Sequence, residues 1–429
     1  MSTKMIDDLI VQAEVGSGEG TICSSDLKQP IWSLDVAEGE RAKPTYGAGA
    51  SQWDKAPVFA PLQHQIPAKY RQMAHAELDR RIRAVKETLG ERLVILGHHY
   101  QRDDIIQYAD FRGDSFKLSQ LAATRPNAEY ILFCGVHFMA ESADILSGPQ
   151  QQVILPNLAA GCSMADMANL EDVLDCWETL GQILGQKPNA EGQQPLLPVT
   201  YMNSAANLKA FCGERNGIVC TSSNAETVLK WAFARGERVL FFPDQHLGRN
   251  TGVKLGIPLE EMVLWDPSKP LGGNSPAALR QARIILWRGW CSVHQRFTVA
   301  QVEKARQDYL GVRVVVHPEC PLEVVEAADE AGSTDYIIKA VEEAAAGTVL
   351  AIGTEINLVR RLQAEHPDKR IFCLDPVICP CSTMYRIHPA YVAWVLEGLL
   401  DGQVLNQIRV DEKVAHAARI ALNRMLTVK

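Results

Sequence analysis

The chain has 429 residues, a formal net charge of −8 at pH 7, 47% hydrophobic residues and 22% charged residues. This length allows several domains with a large buried core, and the acidic balance predicts no general affinity for nucleic acid or for anionic membranes. No apolar run reaches the roughly 18 to 20 residues of a membrane-spanning helix, so no membrane partner is expected. The early acidic residues and the lack of a signal-peptide core predict a cytoplasmic protein.

The first 75 residues stand apart from the rest of the sequence. They are rich in Gly, Pro and Ser and lack sustained periodicity, so we predict an irregular N-terminal extension over residues 1–75. The stretch that follows is charged and amphipathic, and it predicts a helix that ends at Gly90.

After this helix, short apolar runs alternate with helical stretches, a pattern typical of βαβ units and parallel sheets. The runs form three similar groups, and small, polar, Cys or His residues follow the apolar residues in each. The first group contains "RLVILGHHYQ", "EYILFCGVHFMAESA" and "QVILPNLAAGCSMAD"; the second contains "PLLPVTYMNSA", "GIVCTSSNAETVL", "RVLFFPDQHLG" and "ARIILWRGWCSVH"; the third contains "VRVVVHPEC", "DYIIKAV", "TVLAIGTEINLVRRL" and "RIFCLDPVICPC". We therefore predict the α/β class, with three similar α/β domains.

The three groups also suggest domain boundaries. We place the first domain at residues 76–175, the second at 176–290 and the third at 291–388, and assign the helical C-terminal segment 389–429 to the first domain. In open α/β sheets, ligands bind beyond the carboxyl ends of the strands. Because the final strand of each group leads into a cysteine, we expect the three domains to face one common centre.

The sequence contains eleven cysteines spread along its whole length, which does not fit a small disulfide-bonded domain. Most are expected to be small buried hydrophobic residues. Cys162, Cys291 and either Cys379 or Cys381 differ, because each follows a final strand in a loop containing Gly, Ser or Pro. Structural zinc normally takes four ligands with a tight pair, whereas three thiolates can hold a [4Fe–4S] cluster with one iron open to substrate.

Further polar residues follow the predicted strands. Four histidines lie there with a tyrosine and a glutamate: His98, His99, His294, His317, Tyr100 and Glu319. This set fits a general acid/base cluster about as well as a group of structural residues. Ser and Thr residues also precede predicted helices, in "GDSFKLS", "CTSSNAETV" and "GSTDYII". Their hydroxyls and the free backbone N–H groups either cap these helices or bind a small anion. No glycine-rich dinucleotide motif occurs in the sequence.

Several stretches together resemble the quinolinate synthase (NadA) family. They run in family order from about residue 93 to 388: "GHHYQ", "GDSFKLSQLA", "GVHFMAESA", "LPNLAAGCSMAD", "YMNSAANLKA", "CTSSNA", "FFPDQHLGRNTG", "GWCSVH", "VHPEC", "GSTDYII" and "GTEINLVRRL". The resemblance implies three α/β/α domains around a pseudo-threefold axis with the active site at the centre. It also implies a [4Fe–4S] cluster on Cys162, Cys291 and one cysteine of the C-P-C stretch; we choose Cys381, which leads directly into "STMYR".

The resemblance further implies an activity. Iminosuccinate would condense with dihydroxyacetone phosphate, with loss of phosphate and water, to give quinolinate for NAD biosynthesis. An L-aspartate oxidase or dehydrogenase would supply the iminosuccinate. Two alternatives are another iron–sulfur hydro-lyase acting on a small carboxylic acid and an iron–sulfur redox sensor. The strand-end acid/base residues argue against the sensor, which needs no proton-transfer groups.

Residue roles follow from the same resemblance, position by position. The residues that match catalytic positions are Tyr100, His294, His317 and Glu319. Those that match substrate-binding positions are His98, Ser115, Tyr201, Asn203, Ser222, His317, Glu319, Ser333 and Thr334.

Overall fold

The computed structural model describes residues 66–376 and 380–428. Most of the predicted N-terminal extension and the alternative ligand Cys379 therefore lie outside the described residues. The described end of the extension is part of the fold, because Tyr70 is buried and its hydroxyl donates a 2.6 Å hydrogen bond to Glu397 near the C-terminus. Among the described helices, none combines the length and apolar character that a membrane crossing requires.

The first group of elements alternates strands with helices, as the sequence predicts. Its strands are β1 (Leu93–His98), β2 (Phe111–Gly113), β3 (Tyr130–Cys134) and β4 (Gln152–Ile154). Its helices are α1 (Ala68–Arg71), α2 (His75–Leu89), α3 (Asp103–Ile106), α4 (Ser115–Ala123), α5 (His137–Leu146), α6 (Ser163–Asp166) and α7 (Leu170–Leu184). Helix α2 ends at Gly90, whose φ of 53° suits glycine, so the predicted helix end is confirmed.

The second and third groups repeat this alternation. The strands are β5 (Leu197–Tyr201), β6 (Ile218–Cys220), β7 (Val239–Phe242), β8 (Met262–Trp265), β9 (Ile284–Trp287), β10 (Arg313–Val316), β11 (Glu330–Ala331), β12 (Val349–Gly353) and β13 (Arg370–Cys373). The helices are α8 (Ala206–Glu214), α9 (Ala225–Phe233), α10 (Gln245–Lys254), α11 (Pro276–Gln281), α12 (Val299–Asp308), α13 (Leu322–Ala327), α14 (Thr334–Glu342) and α15 (Ile356–Glu365). The C-terminal elements are α16 (Pro389–Leu400), β14 (Gln407–Ile408) and α17 (Glu412–Thr427). Short 3-10 turns occupy Gly90–Arg92, Leu259–Glu261, Pro270–Gly273, His294–Arg296 and Met384–Arg386.

The strands form three sheets that share one strand order. The orders are β2-β1-β3-β4, β6-β5-β7-β9 and β11-β10-β12-β13, so the first strand of each group always lies between the second and the third. Strand β8 extends the second sheet, and β14 extends the first as its antiparallel edge. The other strand pairs are parallel. The predicted α/β class with three parallel sheets is confirmed.

The central strands are apolar because helices cover both faces of each sheet. Every residue of β3, β5, β7 and β9 is buried, without the alternation of a half-exposed strand. Continuous burial is the usual state of strands in parallel α/β sheets. The sequence therefore shows these strands as short unbroken apolar runs.

One predicted strand is wrong. The run "DYIIKAV" lies in helix α14, and the second strand of the third sheet is the two-residue β11 instead. Ile337 and Val341 lie four residues apart and are both buried, so they face the core from one side of the helix. The hydroxyl of Ser333 caps this helix by accepting a 3.3 Å hydrogen bond from the Tyr336 amide. A short apolar run does not by itself distinguish a strand from a buried helix.

The last helix contacts elements of the first two groups. Arg419 of α17 donates a 2.9 Å hydrogen bond to the Ile145 carbonyl at the end of α5. Arg424 of the same helix donates at 2.7 Å to the Gly217 carbonyl, just before β6 of the second sheet. Strand β14 extends the first sheet, so the C-terminal segment contacts both the first and the second group of elements.

The contact between α17 and α8 depends on a glycine, which gives a test of this packing. A Cβ atom on Gly213 would lie 1.9 Å from the Ala417 carbonyl oxygen. Gly213→Ala should therefore push the two helices apart and lower the free energy of unfolding by about 2 to 3 kcal/mol.

Gly181→Ala is the matched control, because in α7 the nearest atom to an added Cβ is the flexible Gln186 amide nitrogen at 3.5 Å. Gly181→Ala should leave the free energy of unfolding unchanged or raise it by up to about 1 kcal/mol. Urea unfolding of both variants measures the difference. Equal stability of the two variants would show that the close helix contact is not required.

Candidate active site

The first strand of each sheet ends in a residue of the candidate site. Strand β1 ends at His98, β5 ends at Tyr201, and His317 directly follows β10. These three strands occupy the same place in their sheets. Their carboxyl ends are where ligands bind in parallel α/β sheets.

Glu319 accepts hydrogen bonds from side chains of two other chain segments. The Tyr201 hydroxyl donates to one carboxylate oxygen at 2.6 Å, and Nδ1 of His294 lies 2.9 Å from the other. All three side chains are buried. The His317 ring stacks on the His294 ring, with centroids 4.4 Å apart and planes inclined by 19°. A carboxylate only accepts, so Nδ1 of His294 carries the hydrogen.

Tyr100 brings the first domain into the same network. Its hydroxyl lies 3.1 Å from Oγ1 of Thr334 and 2.9 Å from Oγ1 of Thr354. The Thr354 hydroxyl is also 3.1 Å from Nε2 of His294. His98 supports the loop of Tyr100 by accepting a 3.1 Å hydrogen bond from the Tyr100 amide. One continuous hydrogen-bond network therefore joins segments from all three groups of strands.

Burial sets the protonation states in this network. Burial, with the charge of Glu319 next in importance, raises the pKa of Tyr100 and of Tyr201 well above the usual value, so both remain neutral phenols. Burial also lowers the pKa of His98 and of His317 to about 3, which keeps these rings neutral near pH 7. The site is therefore rich in neutral donors and acceptors.

Glu319 keeps its charge in this buried setting. Burial opposes the ionised form, but the two neighbouring histidines and the hydrogen bonds from His294 and Tyr201 outweigh it and lower the pKa of Glu319 to about 2. Near neutral pH the network therefore contains one carboxylate, held by two donors. A carboxylate in this position can hold a proton acceptor in place or stabilise a protonated imidazole.

Three free thiols follow the fourth strand of the shared order. Cys162 lies beyond β4, Cys291 beyond β9 and Cys381 beyond β13, and none is in a disulfide. Burial raises the pKa of Cys291 well above its usual value, and the charges of Glu319, Cys381 and Cys162 raise it further. Burial and the charge of Cys381 likewise raise the pKa of Cys162. The charge of Cys381 therefore disfavours the ionised forms of both Cys162 and Cys291, and a bound cationic group would relieve this repulsion.

The distances between possible ligand atoms limit which metal group these side chains can bind. Among the described residues, the Cys/His/Asp/Glu group compact enough for a single ion is Cys291, His294 and Glu319, whose ligand atoms lie within 4.8 Å of one another. In that group His294 and Glu319 already bond to each other at 2.9 Å. Two ligands about 2.3 Å from one ion lie no more than about 4.6 Å apart. Among the described residues, the three thiols do not form such a single-ion group.

The remaining predicted residues lie at strand ends on the same side of the sheets. Ser115 begins α4 after β2, Ser333 precedes α14 after β11, and Asn203 follows β5. Ser222 follows β6 and is half-buried, whereas the neighbouring Ser223 is exposed. The structure shows no hydrogen bond from Asn203 or Ser222 to the described residues of the network. The topology shows only that these residues follow strands of the three sheets.

Sequence reasoning missed two residues of the segment "GTEINL". Thr354 is only 1% exposed and bridges Tyr100 to His294. Glu355 is fully buried and accepts a 3.2 Å hydrogen bond from the amide of Cys381. Both directly follow β12, where strand-end polar residues could have been flagged. A Thr-Glu pair before a helix is more simply interpreted as a helix cap, and Glu355 does cap α15.

Helix α15 also holds the loop that carries Tyr100. Arg361 donates a 2.9 Å hydrogen bond to the His99 carbonyl, and Asn357 donates at 3.3 Å to the Tyr100 carbonyl. The same helix begins at the Glu355 cap that contacts Cys381. One helix of the third domain therefore positions both the tyrosine loop of the first domain and a cysteine loop of its own.

Comparison with known proteins identifies the family. The family model described as quinolinate synthetase A protein (NadA) matches residues 80–427. The chain belongs to the quinolinate synthase family. It is 62% identical over 383 residues to the quinolinate synthase of Corynebacterium glutamicum, which covers 89% of this chain and 95% of that protein. The resemblance inferred from the sequence is confirmed, and the protein is an enzyme of the NadA family.

More distant relatives show the same coverage. The quinolinate synthase of Acidobacterium capsulatum is 56% identical over 363 residues, or 84% of this chain and 95% of that protein. The quinolinate synthase of Rhodopirellula baltica is 48% identical over 399 residues, or 90% of this chain and 97% of that protein. The similarity to NadA proteins therefore extends across all three sheets.

Proposed function

We propose that this enzyme condenses iminosuccinate with dihydroxyacetone phosphate to form quinolinate, with loss of phosphate and water. An L-aspartate oxidase or dehydrogenase would supply the iminosuccinate. Family membership supports the product. The observation that carries the proposal is the buried network of Tyr100, His294, Glu319 and Tyr201 beside three free thiols. A condensation followed by dehydrations requires several proton transfers, which such a network supplies.

The substrates are small anions, and three helix N-termini suit them. Helices α4, α9 and α14 each begin shortly after the second strand of a sheet. Free backbone N–H groups at such positions favour phosphate and carboxylate. We assign His98, Ser115 and Ser222 to the carboxylates of iminosuccinate, with Tyr201 and Asn203 as further substrate contacts. Ser333 and Thr334 form the anion-binding turn at α14.

The acid/base roles follow from the hydrogen-bond partners. Glu319 accepts from His294, so it stabilises the imidazolium that forms when Nε2 takes a proton. We assign His294 and Glu319 to proton removal and return, with His317 stacked on the ring to orient it. Tyr100 is a buried neutral phenol and serves as the donor in the ketose-to-aldose isomerisation.

The thiols fit the iron–sulfur cluster that the family resemblance implies. Cys162, Cys291 and Cys381 are free and come from three chain segments, and the charge of Cys381 raises the pKa of the other two, an effect that a cationic cluster core would relieve. We propose that they bind a [4Fe–4S] cluster, with Glu355 holding the Cys381 loop. When bound, such a cluster supplies an open iron that acts as a Lewis acid toward a leaving hydroxyl.

An anaerobic assay tests this function. The protein, loaded with iron and sulfide, is mixed with iminosuccinate generated in the reaction vessel and dihydroxyacetone phosphate, and quinolinate is measured by mass spectrometry. We expect quinolinate only when both substrates are present. A hydro-lyase would instead dehydrate a hydroxy acid without requiring dihydroxyacetone phosphate. A redox sensor would convert neither a hydroxy acid nor the two proposed substrates. Cluster-loaded protein that forms no quinolinate would refute the proposal.

A further inference from the structure

Helix α10, in the second group of elements, contacts the loop that carries Glu319 in the third group. The side-chain amide of Asn250 donates to the Pro318 carbonyl at 2.8 Å and to the Cys320 carbonyl at 2.9 Å. These two carbonyls belong to the residues on either side of Glu319. Asn250 is 8% exposed, and both hydrogens of its amide group are used on these carbonyls.

We propose that Asn250 is a positioning residue that holds the Glu319 carboxylate in place for its two donors, His294 and Tyr201. This inference rests on the proposed function, which assigns proton transfer to His294 and Glu319. Asn250 acts through the backbone on both sides of Glu319, not through contact with substrate.

The same helix also contacts the turn that contains His294. Nε2 of His246 lies 2.5 Å from the side-chain oxygen of Gln295, so the ring donates this hydrogen bond. His246 and Asn250 are four residues apart and therefore lie on one face of α10. This face contacts the residues next to both members of the 2.9 Å pair formed by His294 and Glu319.

Helix α10 is itself fixed against the second sheet. Its cap, Asp244, accepts a 2.7 Å hydrogen bond from the Leu247 amide. A Cβ atom on Gly248 would lie 2.6 Å from a Leu286 methyl carbon and 2.7 Å from the Phe241 ring, so the missing side chain lets the helix lie close to β7 and β9. Such support matters for a proton carrier, because a displacement of about 1 Å lowers a rate by about 100-fold.

Asn250→Leu removes the amide group with little change in side-chain size. The Glu319 loop then loses two hydrogen bonds, and in cluster-loaded enzyme we expect kcat to fall about 10- to 100-fold. KM should change by less than about threefold, and the iron content should match that of the wild type, because the substitution leaves the proposed substrate contacts and thiols in place.

Asn127→Leu is the matched control. Asn127 is exposed and lies three residues before β3, at the end of the strand opposite to the candidate site. This variant should keep the wild-type kcat and KM. Steady-state kinetics and iron analysis compare the two variants.

Combination with Glu319→Gln separates positioning from a general effect on the fold. If Asn250 acts through the Glu319 carboxylate, Asn250→Leu should lower kcat by less than about threefold when it is added to Glu319→Gln. A general effect on the fold instead lowers kcat by the same factor with and without Glu319→Gln.

The outcomes of this experiment are distinct. Wild-type enzyme that makes no quinolinate overturns the proposed function together with this inference. Wild-type enzyme that makes quinolinate while Asn250→Leu has an unchanged kcat overturns the positioning role alone, and so do equal losses with and without Glu319→Gln. If Asn250→Leu does not fold or does not retain iron, Asn250→Ala is measured in the same combinations and judged by the same outcomes.

Discussion

Anaerobically reconstituted Cys291→Ala protein is expected to bind no intact [4Fe–4S] cluster and to form quinolinate at less than about one-thousandth of the wild-type rate. Cys291 is the thiol closest to the acid/base network, because its sulfur lies within 4.8 Å of ligand atoms of His294 and Glu319. Only Cys162 and Cys381 would remain to hold the cluster, and the Lewis-acid chemistry that it would supply would be lost.

A second buried cysteine provides the control for this experiment. Cys176 lies in α7 and is 1% exposed, and burial raises its pKa well above the usual value. Cys176→Ala should retain about four iron atoms per chain and the wild-type rate. Iron and sulfide analysis, visible absorbance and the quinolinate assay measure both variants. A Cys291→Ala protein with full iron content and full turnover would remove Cys291 from the proposed ligand set.

Glu319→Gln should lower kcat by about 10²- to 10⁴-fold while the cluster remains bound. Glutamine has the size of glutamate and can still accept the hydrogen bond from Tyr201. It carries no charge to stabilise a protonated His294, and its amide group can turn the ring hydrogen away from Nδ1. The loss should therefore appear in proton transfer rather than in folding or iron binding.

Glu323→Gln is the matched substitution outside the network. Glu323 lies four residues along the chain, in the first turn of α13, and is exposed. This control should leave kcat unchanged, because the exposed side chain makes no contact with the proposed acid/base residues. Steady-state kinetics on cluster-loaded protein compares the two variants. Unchanged kcat in Glu319→Gln would exclude Glu319 as a proton carrier.

Much of the fold could be predicted from local sequence patterns. Unbroken apolar runs marked the strands that are buried on both faces, such as β3 and β7, and Gly90 marked the end of α2. The short edge strands β2, β8 and β11 were missed because they contain few buried residues. The residues of helix α14 were predicted to form a strand, because their short apolar run fits either structure.

The sequence by itself determined the α/β class, the three groups of strands and the strand-end residues that carry the candidate chemistry. These are local properties, set by apolar runs and by the residues that follow them. Only the tertiary structure decided how the ends of the three groups meet. Tyr100 and Thr354 are separated by 254 positions and share a 2.9 Å hydrogen bond. Such a contact depends on how whole sheets pack, so the chain order marked Thr354 only as a polar residue at the end of a strand, and its partners emerged from the folded geometry.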